Sequence, residues 1–72
     1  MGRLGQVFGR NVRQLRQDRR LSQEALADAV GLAVTYVGQI ERGRRNPTLN
    51  VVERFAEVLK VDPLELLKPP TA

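Results

Sequence analysis

Apolar residues recur at helical spacing along most of the chain, and polar or glycine punctuation divides them into five segments. Phe8, Val12, Leu15 and Arg19 follow one helical period, which predicts a first helix from near Leu4 or Gln6 to Arg20. Gly5 and Gly9 are poor helix formers and are expected to loosen its start. Leu26, Ala27 and Val30 form the apolar face of a second segment. It opens at Ser22, whose hydroxyl suits the free amides of a first turn, and closes at Gly31, which tolerates left-handed angles. Val37 and Ile40 give the third segment its face. Gly43 ends it, and Pro47 pushes Asn46 away from helical angles, so a loop follows. Thr48 caps a fourth segment with apolar positions Leu49, Val52, Phe55, Ala56 and Leu59, leaving Glu53, Arg54, Glu57 and Lys60 outside. Asp62-Pro63-Leu64-Glu65 combines a capping aspartate, a proline at the first helical position and a glutamate spaced to reach back in a capping box. A fifth, short helix is expected there, and Lys68 to Ala72 should fray, because two prolines stop the helix. No internal repeat or long linker divides the chain, so residues 1–72 read as one domain with its core in about 6–67.

The third segment has a second face. With Val37 at the centre of the buried side, a step of about 100° per residue turns Thr35, Gln39 and Arg42 away from the core. Two short helices joined at a glycine corner, the second presenting a polar side outward, outline a DNA-reading helix-turn-helix between Leu21 and Gly43.

Charge strengthens that outline. The net +4 is uneven: residues 1–45 carry nine arginines against four acids, and residues 46–72 carry three basic against four acidic residues. The positive field therefore belongs to the first three helices, where Arg10, Arg13, Arg19 and Arg20 serve either phosphate or solvent. Arginine outnumbers lysine ten to two, and a planar guanidinium suits bidentate contact with phosphate or guanine. The chain has no cysteine and no histidine, so it offers neither a thiolate nor an imidazole metal site. No metal and no cofactor are expected. No apolar run reaches membrane-spanning length, and the expected setting is cytoplasmic, without membrane contact.

The order and spacing of Val12-Arg13-Gln14-Leu15-Arg16, Leu21-Ser22-Gln23-Glu24, Leu26-Ala27, Val30-Gly31-Leu32, Ile40-Glu41-Arg42-Gly43 and Val61-Asp62-Pro63 resemble the helix-turn-helix family of phage repressors, Cro and Xre-like bacterial regulators. The stretch from Thr35-Tyr36-Val37 to Thr48-Leu49 also resembles the controller proteins of restriction-modification systems. The resemblance implies an all-α, compact five-helix, lambda-repressor-like domain with the motif at helices two and three. It implies base contacts from Val34, Thr35 and Gln39, with Gln39 presenting a donor and an acceptor to adenine. It implies phosphate contacts from Gln23, Tyr36, Arg42, Arg44, Arg45 and Asn46. It also implies an ion pair between Arg16 and Glu41, each bordering a buried stripe. Three positions depart from the family pattern. Ala33 stands where relatives place a capping side chain, Ala25 replaces the usual capping-box glutamate, and Gly38 interrupts the recognition helix. The expected role for Gly38 is to let DNA approach closely.

A small core and the surplus leucines of the last segment suggest a two-fold partner, with Leu59, Val61, Leu64 and Leu67 as the candidate interface. The resulting reading is a sequence-specific transcriptional regulator of double-stranded DNA, acting as a homodimer on a palindromic operator. The alternative is a protein-interaction module such as an antitoxin or phage accessory protein. An enzyme is disfavoured, because no phosphate-binding glycine loop or clustered carboxylates accompany the missing His and Cys. An inducer leaves no trace in the chain.

Overall fold

The computed structural model describes residues 2–69. Four α-helices, α1 (Arg3–Asp18), α2 (Gln23–Val30), α3 (Val34–Glu41) and α4 (Leu49–Leu59), precede a single 3₁₀ helix at Pro63–Leu67, and no strand occurs among the described residues. Side chains cap the starts of α2, α4 and the 3₁₀ helix. Ser22 Oγ accepts from the Ala25 amide at 3.0 Å, Thr48 Oγ1 from Val51 at 3.1 Å, and Asp62 Oδ1 from Leu64 at 2.9 Å.

All four α-helices stop in the same way. The amides of Leu21, Leu32, Arg44 and Val61 each donate five residues back, to the carbonyls of Arg16, Ala27, Gln39 and Ala56. The residue before each of these, Arg20, Gly31, Gly43 or Lys60, is left-handed, with φ of 57°, 74°, 72° and 59°. Glycine is doubly required at 43. Beyond its φ, a Cβ there would lie 3.1 Å from Gln6 Cγ, so any side chain would press on α1.

The core collects one face from every element. Phe8 and Val12 of α1, Leu26 and Val30 of α2, Val37 and Ile40 of α3, Phe55 and Leu59 of α4, and Leu66 of the 3₁₀ helix are almost fully enclosed. Phe8 and Phe55 meet edge to face, with centroids 5.6 Å apart and planes at 88°. Helix α1 touches α3 on one side and α4 with the 3₁₀ helix on the other, while α2 bridges α3 and α4.

Several expectations are corrected. The fifth helix is a five-residue 3₁₀ helix, so the described residues form four α-helices rather than five. Pro69 follows two residues after its end, leaving no length for an α-helix. Glu65 makes no capping box: its carboxylate pairs with Lys68 Nζ at 3.0 Å on the surface. Leu59 is 0% exposed and belongs to the core, so it is removed from the candidate interface. Leu49, expected inside, is 76% exposed, since the first residue of α4 projects past the packed layer. Helix α1 stops at Asp18, with Arg19 as its cap, instead of continuing to Arg20.

Gly9 does not loosen α1. It is buried, and a Cβ there would run into the carbonyl oxygen of Ile40 and lie 3.1 Å from that of Glu41. It is the point at which α1 crosses the end of α3 backbone to backbone. At the other terminus, the Lys68 carbonyl is held by Asn11, so fraying does not begin there, and the rest of the expected tail from residue 70 lies outside the described residues.

Candidate nucleic-acid interface

The site is built on α3, whose N-terminus has no side-chain cap. Ala33 occupies the capping position in extended conformation, and the turn is closed by backbone bonds alone, Tyr36 and Val37 donating to the Ala33 carbonyl at 3.0 and 3.2 Å. What holds α3 is tertiary. Val37 and Ile40 anchor its inner side, and Glu41 near its end is gripped by α1. Arg16 Nε donates to Glu41 Oε2 at 2.7 Å and its NH2 group to Oε1 at 3.2 Å, a fork onto both carboxylate oxygens. The remaining end of the guanidinium donates to the Leu21 carbonyl at 2.8 Å, tying in the turn between α1 and α2. Gln23 Nε2 completes the junction by donating to Glu41 Oε1 at 3.0 Å. The two charged side chains are 13% and 3% exposed, so the junction is shielded from water without an orphaned polar atom among the described residues.

Outward, Thr35 is exposed and Gln39 half-buried on the side of α3 opposite Val37, and Val34 is exposed in the first turn. Tyr36 sits half-buried beside them. Arg45, from the loop after α3, lies across this surface: its Nε donates to Gln39 Oε1 at 2.7 Å and its guanidinium carbon is 5.5 Å from the centre of the Tyr36 ring. Arg44 is exposed in the same loop. Asn46 is also exposed in this loop, its Oδ1 3.5 Å from the site of a Cβ at Gly5 near the start of α1. Arg42, exposed at the end of α3, lines a groove with Gln6, Arg10 and Arg13 of α1 and with Glu41, whose charge is met by Arg16, so the groove carries net positive charge beside the helix-turn-helix pair.

Two sequence expectations change meaning in this geometry. One hydrogen of the Gln23 amide is committed to Glu41, leaving the other and the exposed amides at the start of α2 for an anion. Gly38 is buried beneath side chains: a Cβ there would sit 3.6 Å from an Arg42 guanidinium nitrogen and 3.8 Å from both Gln23 amide atoms. These are ordinary contact distances, so a Cβ would fit without displacing either neighbour, and Gln23 and Arg42 lie over this point of the helix. Sequence reasoning missed Gly9 and Asn11. Asn11 Nδ2 donates to the carbonyls of Leu66 and Lys68 at 2.9 and 2.8 Å, fastening the chain end to the back of α1.

A family model described as a helix-turn-helix domain matches residues 7–67. The control protein C.BamHI of Bacillus amyloliquefaciens is 44% identical over 62 residues, spanning 85% of this chain and 76% of the relative. Among solved structures, the restriction-modification controller protein C.AhdI of Aeromonas hydrophila superposes with a TM-score of 0.82 at 44% identity, covering 86% of this chain and 94% of the other. The biofilm regulator SinR, solved in complex with DNA, superposes at 0.80 with 32% identity, covering 85% and 98%. The chain therefore belongs to the helix-turn-helix family of transcriptional regulators, a family of DNA-binding proteins and not of enzymes. No helix among the described residues is long and apolar enough to cross a membrane.

Proposed function

We propose that the protein is a sequence-specific regulator that inserts α3 into the major groove and acts as a homodimer on a palindromic operator. One observation carries the reading: α3 turns Thr35 and Gln39 outward from a helix whose orientation is fixed by the Arg16–Glu41–Gln23 junction. A helix held rigidly can hold side chains in register with base edges. Thr35 and Gln39, four residues apart, read bases, and Val34 supplies apolar contact to a thymine methyl. Arg42, Arg44, Arg45 and Tyr36 flank them, and with Gln23 and Asn46 they provide the phosphate contacts that fix position along the duplex.

The two-fold partner covers Val61, Leu64 and Leu67. Leu64 is 68% exposed, and its neighbours on this end are half-buried, which suits a second copy of the same surface. Two recognition helices would then meet half-sites roughly 34–36 Å apart.

Selection of bound duplexes from random sequence tests the proposal. The wild type should enrich a palindrome, and Thr35→Ala and Gln39→Ala should each relax preference at particular positions. Arg44→Ala should weaken all sequences alike and flatten the salt dependence. Enrichment of no motif by the wild type, or a motif unchanged in both alanine variants, refutes it.

A further inference from the structure

The bond between Arg45 and Gln39 constrains what Gln39 can read. An arginine Nε–H can only donate, so the atom facing it must be the glutamine oxygen, which leaves the Gln39 amide nitrogen pointing elsewhere with both its hydrogens. A glutamine that reads adenine in two-point fashion needs that oxygen to accept from the adenine amino group while its nitrogen donates to N7. Here the oxygen is already engaged. Its second lone pair remains, but the guanidinium stands beside it, so an adenine amino group arriving there would confront a cation donor to donor. The Tyr36 ring supports the guanidinium, which is thus held at two points rather than left free in a loop.

We infer that Gln39 and Arg45 act as one composite reader, an array of N–H donors on the outer side of α3 that selects guanine rather than adenine. Guanine alone among the bases presents two adjacent acceptors, N7 and O6, in the major groove. The Gln39 amide and the unused N–H groups of Arg45 match that pair. This assigns to Arg45 a specificity role beyond neutralising phosphate, and rests on α3 being the helix that reads bases. Tyr36 is then a positioning residue, acting through the arginine it supports.

The test is competition binding at fixed salt to half-site duplexes carrying each base in turn, with wild type, Arg45→Lys, Arg45→Ala and Gln39→Ala. At one position the wild type should prefer guanine over adenine by roughly tenfold. Gln39→Ala should erase that preference. Arg45→Lys keeps the charge but loses the planar fork, and should admit adenine at the same position while overall affinity changes only a few-fold. In the free protein, the Arg45 Nε–H resonance should exchange slowly with solvent, and Gln39→Ala should release it.

If Arg45→Lys and Arg45→Ala alter affinity for every sequence by one common factor, with the base preference intact, the composite reader is refuted and α3 as reading helix stands. If Arg45→Ala binds all sequences more tightly, Arg45 is a cover over Gln39 and the inference also falls. If Gln39→Ala leaves every base preference as in wild type, the reading of α3 itself fails, and the composite reader with it.

Discussion

Helix α1 is gripped from two sides by different physics. Toward α3 the contacts are steric and polar: Gly9 lets two backbones meet, and Arg16 forks onto Glu41. Toward α4 and the 3₁₀ helix they are apolar, with Phe8 against Phe55 and Leu66 fully enclosed, and Asn11 making the polar fastening. Burial of apolar area is strong but non-directional, and it tolerates small shifts of one element on another. A bidentate ion pair and a backbone crossing do not. The enclosed apolar core, to which every element contributes, therefore supplies most of the stability, and the polar junction at the front fixes the angle at which the polar side of α3 is presented.

The largest effect should come from the rear. Phe55→Ala removes an enclosed ring and its aromatic partner contact, and should cost about 3–5 kcal/mol. That is a large share of the roughly 4–10 kcal/mol expected for a chain of this length, so chemical denaturation should show a variant partly unfolded at ambient temperature. The fraction still folded should keep the wild-type base preferences. A change of preference would break the division of labour.

Next comes the front junction. Glu41→Ala leaves the Arg16 guanidinium without its carboxylate, and should cost about 3 kcal/mol, the lower end of the range for a broken buried pair because Arg16 retains some water. Replacing both partners by apolar residues, Arg16→Met with Glu41→Leu, should recover most of that stability yet still impair DNA binding. Full recovery of both would show that the ion pair has no orienting role.

Much of this arrangement was legible because its signals are local. Ser22, Thr48 and Asp62 each cap within three residues, and Gly31 and Gly43 announce their turns. The spacing of Val37 and Ile40 also told which side of α3 faces away from the core. What escaped depends on partners distant in sequence or on geometry that composition does not encode. Gly9 reads as a weak helix former until α3 is laid across it, and the partners of Asn11 lie 55 and 57 residues downstream. Start signals at Asp62-Pro63 do not say whether the turns that follow will be α or 3₁₀. The Gln39–Arg45 bond belongs to this second class, since no periodicity links a helix residue to a side chain in the loop beyond it.

Asn11 sharpens the comparison from the rear. Asn11→Ala leaves the Leu66 and Lys68 carbonyls to water, and with one of those bonds only part-buried the loss should be about 1 kcal/mol. Hydrogen exchange should accelerate in the 3₁₀ helix and leave the Glu41 end of α3 unchanged. Exchange that accelerates at both would mean that α1 transmits strain between its two sides.

The smallest effect concerns the two left-handed residues that carry side chains, Arg20 at the front turn and Lys60 at the rear. A left-handed residue with a Cβ is strained by about 1–2 kcal/mol, and glycine relieves that strain while giving back about 0.4–1 kcal/mol through its freer unfolded chain. Arg20→Gly and Lys60→Gly should therefore each raise stability by up to about 1 kcal/mol, seen as a higher denaturation midpoint with an unchanged slope. The backbone bonds on either side are alike, 3.0 Å from Leu21 to Arg16 and 3.0 Å from Val61 to Ala56, so the gains should match. But Arg16 also donates its guanidinium to the Leu21 carbonyl, which already restrains the front turn. A smaller gain at Arg20 than at Lys60 would show that this bond, and not the turn residue, holds α1 to α2, placing the front turn inside the polar junction instead of beside it.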